Sequence, residues 1–133
     1  MLDTLISYEG SLRCRSEHAN SGAVVLTDAP KDNHGKGESF SPSEMLSVSL
    51  GSCILSIMGI AARSMNIDII GATARVTKEM ADGPRRIARI AVAVQVPGSF
   101  DCRQRSKLEA AAYACPVHSV LGIDAPISFD WTG

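Results

Sequence analysis

Hydrophobic and polar positions recur along the chain with spacings that predict most of its elements. Residues 4 to 15 and 23 to 27 carry strand patterning and are separated by His18-Ala19-Asn20-Ser21-Gly22, a stretch rich in turn-favouring residues. A two-stranded hairpin follows. From Asp28 to Ser39 the chain reads DAPKDNHGKGES, which predicts a mobile surface loop. Ser41-Pro42-Ser43-Glu44 then places Ser at an N-cap, Pro at the first helical position and Glu at the third, a capping box that opens a helix running to about Met65.

Asn66 and Asp68 end that helix. A strand is expected over 72–79. In a second strand Ala88, Ile90, Val92, Val94 and Val96 alternate with Arg89, Ala91, Ala93 and Gln95, and Asp82-Gly83 makes the turn between the two. Pro97-Gly98 closes that strand. Residues 101 to 114 pattern as a helix whose buried face would draw on Leu108, Ala111, Ala112 and Tyr113. Cys115-Pro116 ends it and starts a short helical turn through Leu121, and a last strand spans Ile127 to Trp131. The predicted order is β-β-α-β-β-α-β, an α+β chain forming one domain over residues 1–133 with no repeat or linker.

The run MLSVSLGSCILSIMGIAA at 45–62 contains no charge and is just long enough to raise the question of a membrane span. Its four serines and two glycines, and the lack of flanking basic loops, point instead to a helix buried in protein. A small monomer could hardly surround such a helix. It is therefore expected at the interface of a homodimer, with no membrane partner.

Composition narrows the function classes. With 133 residues the chain can bury about two thirds of its unfolded surface without disulfides or metal. At 45% hydrophobic residues it is no disordered segment. Thirteen Lys and Arg against fourteen Asp and Glu leave no bulk positive field to collect phosphates, so nucleic acid is not expected as a partner. MLDTLISYEG at the start has neither a basic leader nor an apolar core segment, so a cytoplasmic location with reduced thiols is expected.

Four cysteines stand at 14, 53, 102 and 115 with no C-x-x-C pair, so a structural zinc site is not expected. Cys115 and His118 are two ligands at most, too few for a metal, and His118 reads as a partly exposed helix residue. On its helix Cys53 shares a face with Leu46, Ser49, Leu50, Ser56, Ile57 and Ile60. Spacing alone makes it a core cysteine. Cys115, at the start of a short helix, has two readings that spacing does not separate: a thiolate stabilised by free backbone N–H groups, or a small space-filling residue. The basic residues Arg85, Arg86, Arg89, Arg103, Arg105 and Lys107 read as solvated surface charge.

Taken jointly, S-P-S-E-M-L at 41–46, L-G-S-C at 50–53 and A-C-P-V-H-S-V-L at 114–121 resemble the OsmC/Ohr family, the osmotically inducible protein C and organic hydroperoxide resistance proteins. The resemblance spans nearly the whole chain. It implies an intertwined homodimer with two long central helices. It also implies a redox pair, Cys53 as the peroxidatic thiol and Cys115 as the resolving thiol, reducing organic hydroperoxides without metal or other cofactor. An external dithiol, a lipoyl group or a thioredoxin-like protein, would regenerate the pair. Cys14 and Cys102 match no family motif.

Two departures from the family pattern are visible. Peroxidase members carry an acid directly after the helix-opening proline, where this chain has Ser43; Glu44 comes one place late and is already used by the capping box. The loop before the helix offers only Lys31, His34 and Lys36 in place of an activating arginine, while Arg13 and Arg15 lie on an early strand from which they could reach a site across a dimer. A second function class therefore stands beside the first: a non-catalytic OsmC-like dimer that binds an apolar small molecule at its interface.

Overall fold

The structure, a computed structural model, describes residues 3–132. Six strands and three α-helices follow one another as β1 (Thr4–Gly10), β2 (Arg13–His18), β3 (Val24–Asp28), α1 (Pro42–Ser64), β4 (Thr73–Ala81), β5 (Arg86–Pro97), α2 (Cys102–Tyr113), α3 (Pro116–Val120) and β6 (Ile127–Thr132). The chain clusters into two compact units, Met1–Leu46 and Ser47–Gly133.

The first unit is an antiparallel sheet in the order β1-β2-β3. One expectation fails here: residues 4–15 form no single strand but turn back at Gly10-Ser11-Leu12, where all three residues have positive φ (85°, 55° and 61°). Ser and Leu seldom adopt that conformation, so composition carried no signal for the turn. The segment after β3 contains a single 3-10 turn, Lys31–Asn33, and is tied down at its root. Asp28 is only 1% exposed; its backbone N–H donates to the Phe40 carbonyl at 3.0 Å and its carboxylate accepts the Glu38 N–H at 3.0 Å. Arg13 pairs with both Asp28 and Glu38. The start of α1 is capped as its sequence predicts, with the Glu44 N–H on Ser41 Oγ and the Ser41 N–H on Glu44 Oε1, each at 3.2 Å.

In the second unit β4, β5 and β6 form a mixed sheet. β4 and β5 are antiparallel, pairing Val76 with Val92 and Ala74 with Val94. β5 and β6 run parallel, pairing Val92 with Ile127 and Val94 with Phe129. A parallel neighbour requires a crossover connection, and α2 and α3 supply it. Ile90, Val92, Val94 and Val96 are all buried, the period-2 face that the sequence predicts. Their cover comes from Leu50, Ile54, Met58 and Ala62 of α1, one ridge at i, i+4 spacing, together with Leu108 and Ala112 of α2. Gly51 lets α1 sit close to β4: a Cβ there would stand 3.1 Å from Val76 Cγ2 and 3.7 Å from Ala74 Cβ.

α2 starts on a capping box readable as Asp101-Cys102-Arg103-Gln104: the Gln104 N–H donates to Asp101 Oδ1 at 2.8 Å and the Asp101 N–H to Gln104 Oε1 at 3.0 Å. Its remaining contacts reach β6, where Trp131 Nε1–H donates to Glu109 Oε1 at 3.1 Å and the Arg105 guanidinium lies 5.6 Å from the Trp131 ring centre. Arg105 is thus half-buried rather than purely a surface charge. On the solvent-facing side of the sheet Arg89 bridges Glu79 and Asp124.

α1 is long and apolar enough by length and composition to cross a membrane, and 28% of its most apolar stretch is buried within the chain. Ile54→Ala removes part of the buried ridge and is expected to cost about 2–5 kcal/mol of unfolding free energy, read from urea denaturation. Ser41→Ala removes one half of the cap and should cost about 1 kcal/mol in the same measurement.

Candidate functional site

The second unit brings together two of its cysteines. Cys53 sits at the start of the fourth turn of α1, beside the buried ridge rather than on it, and is half-buried. Part of the face assigned to it from spacing lies open, since Ser49, Ser56 and Ile60 are exposed. Cys115 is 0% exposed and stands at the corner between α2 and α3. Cys53 lies close enough to Cys115 for its side chain to raise the Cys115 pKa. Residues 62 positions apart thus share one site, because α1 and the α2–α3 corner cover the same face of the sheet.

The corner is built by local sequence. α2 ends at Tyr113, Cys115 is the N-cap of α3, and Pro116 occupies the first helical position, where its missing N–H costs nothing. The backbone N–H of His118 points at Cys115 Sγ at 3.4 Å, so the sulfur takes the place that a serine oxygen has in an ordinary cap. Burial pushes the Cys115 thiol above its ordinary pKa, and the hydrogen bond and charge of Cys53 push the same way. The backbone N–H groups of His118 and Val117 pull it down but do not prevail. Cys115 is therefore held as a neutral thiol near pH 7.

Cys14 is half-buried on β2 and Cys102 is the exposed first residue of α2. Arg13 is bound by Glu38 and Asp28, with the Glu38 hydrogen bond the main cause of a pKa raised above the ordinary arginine value, and Arg15 pairs with Glu17 at 3.1 Å. Ser43 Oγ lies 3.2 Å from Ser41 Oγ. Among the described residues no group of three or more His, Cys, Asp or Glu is placed to hold a metal ion. His118 is half-buried and its ring is engaged, with Nε2 2.8 Å from the Ala125 carbonyl. Spacing carried no signal for that bond beyond the position of His118 three residues after Cys115.

A family model described as OsmC-like protein matches residues 35–130, from the loop after β3 to within β6. The chain belongs to the OsmC-like family. A solved structure from Psychrobacter arcticus, described as an osmotic stress induced and detoxification response protein, is 40% identical with a TM-score of 0.90, covering 98% of this chain and 96% of that one. An organic hydroperoxide resistance protein from Legionella pneumophila shares 14% identity at a TM-score of 0.71, covering 100% and 98% of the two chains. Another, from Elizabethkingia anophelis, shares 14% identity at a TM-score of 0.71, covering 100% and 97%. At such identities the OsmC-like fold is what is shared. No curated protein matches the chain.

In this OsmC-like chain the raised pKa of Cys115 links the site to stability. The folded protein keeps that proton while the unfolded chain loses it as pH climbs through the ordinary thiol range near about 8.5. The unfolding free energy of the reduced protein should therefore be fully present below that range and decline above it. Urea midpoints from pH 7 to 10 should fall less steeply for Cys115→Ser than for the wild type.

Proposed function

We propose that the protein reduces organic hydroperoxides through Cys53 and Cys115, working as a homodimer. One observation carries the reading: a half-exposed thiol lies beside a wholly buried one, near enough to shift its pKa, inside a family whose similar structures include organic hydroperoxide resistance proteins. Cys53 is the peroxidatic residue because peroxide can approach it. Its thiolate attacks one oxygen of the O–O bond, which breaks to give a sulfenic acid on Cys53 and an alcohol from the other half of the substrate. The Cys115 sulfur then displaces the sulfenic hydroxyl, releasing water and forming a disulfide. An external dithiol, lipoyl or thioredoxin-like, takes up the oxidation and returns both thiols.

Half-buried Ile57 and exposed Ile60 follow Cys53 at i+4 and i+7 on the same helical face, apolar side chains that would reward an alkyl or aryl hydroperoxide and give hydrogen peroxide little to bind. The dimer is supported by what the single chain leaves uncovered. Most of the apolar stretch of α1 is unburied, and Leu5, Ile6, Tyr8, Leu26 and Phe40 are exposed in the first unit.

A second reading, a non-catalytic dimer binding an apolar molecule, is favoured by one feature: Glu44 is used by the helix cap, and Ser43 stands where peroxidase members have their acid. One experiment separates the two. With one equivalent of cumene hydroperoxide, the reduced wild type is expected to lose two thiols within seconds. Cys115→Ser should stop at a mass gain of one oxygen, and Cys53→Ser should react no faster than a free thiol. Equal, slow reaction of all three would sink the peroxidase reading. Light scattering at micromolar concentration should give twice the chain mass, and a monomer would remove the dimer.

A further inference from the structure

Five residues make α3, too few for a helix to hold itself in place, yet Cys115 depends on it for position. The hydrogen bonds within the turn, Ser119 N–H to the Cys115 carbonyl at 3.0 Å and Ser119 Oγ–H to the Pro116 carbonyl at 3.0 Å, fix its shape but not its location. Among the described residues one side chain of α3 hydrogen-bonds beyond the turn. It is His118, whose Nε2 lies 2.8 Å from the Ala125 carbonyl. A carbonyl only accepts, so Nε2 carries the proton and the ring is held in that tautomer.

The anchor at the far end is firm. The Ile90 N–H donates to the Asp124 carbonyl at 3.0 Å and the Val92 N–H to the Pro126 carbonyl at 2.9 Å, so the residues on both sides of Ala125 are bonded to β5. Tyr113 braces the other side of the imidazole. Its ring meets that of His118 edge to face at 5.7 Å and 90°, and its hydroxyl donates to the Ile127 carbonyl at 3.1 Å. The residue anchored by its side chain is also the one whose backbone N–H lies on Cys115 Sγ.

We infer that His118 is the positioning residue of the resolving step: through the Ala125 carbonyl it fastens the α3 turn to the strand core and so keeps Cys115 Sγ beside Cys53. This inference rests on the peroxidase reading above. His118 exchanges no electrons. The sulfur of Cys115 displaces hydroxide from the Cys53 sulfenic acid, the thiol proton leaves with it as water, and the S–S bond forms only while the two sulfurs stay adjacent.

The test follows disulfide closure separately from thiol consumption, using reduced protein, cumene hydroperoxide, and dimedone to trap sulfenic acid. In His118→Leu the first oxidation of Cys53 should proceed at the wild-type rate while disulfide closure slows roughly tenfold to a hundredfold, and a dimedone adduct should build up on Cys53. His118→Gln, which can offer an N–H near the Nε2 position, should restore closure. His118→Asn, too short to reach Ala125, replaces the leucine variant if that one fails to fold, and should behave as the leucine variant is expected to. Closure at the wild-type rate in the variants that lack the bond, with wild type forming its disulfide, overturns the positioning role alone. A wild type that forms no disulfide overturns the peroxidase reading and this role with it.

Discussion

One face of β5 has to be kept from water. Ile90, Val92, Val94 and Val96 place four branched side chains on that face, and burying them is worth on the order of 1.5–3 kcal/mol each. β4 and β6 flank β5 edge to edge but cannot roof it, so helices must. The ridge Leu50-Ile54-Met58-Ala62 of α1 and the pair Leu108 and Ala112 of α2 are that roof. Cys53 and Cys115 meet because each belongs to a segment recruited to this single task.

The parallel pairing of β5 and β6 has a further consequence. It obliges the chain to cross over, and the return from α2 into β6 has to turn sharply above the sheet. Cys115 occupies that turn, with Pro116 ending one helix and starting the next. The corner is dry, which holds the thiol protonated, and it is tied to the strands by Tyr113 and His118 rather than by apolar packing alone. Burial and polar anchoring act on the same few residues. A thiol placed this way is shielded from solvent.

Charged groups of the first unit are used in structure. Arg13, Asp28 and Glu38 hold the segment after β3 to its sheet, and Glu44 completes the helix cap. Asp28 Oδ1 and Arg13 Nε are buried without a partner, so the cluster is not fully satisfied. An acid that serves as a cap is not free to orient a cation at a thiol.

Local signals in the sequence determined the helices and the strand alternation: Ser41-Pro42-Ser43-Glu44 opens α1, Cys115-Pro116 divides α2 from α3, and residues 88 to 96 alternate because one face of their strand is buried. Such features act over a few residues, where capping, proline geometry and the period of two operate. The motifs also marked Cys53 and Cys115 and the family. Tertiary structure decided the rest. The turn at Gly10-Ser11-Leu12 depends on positive φ that Ser and Leu adopt only when the sheet demands it, and the parallel placing of β6 depends on a crossover with no local signature. The contact between two thiols 62 residues apart, and the His118 bond to the Ala125 carbonyl, exist only once helices and sheet have packed. Side-chain chemistry is written residue by residue, but proximity between distant residues is a property of the packed core.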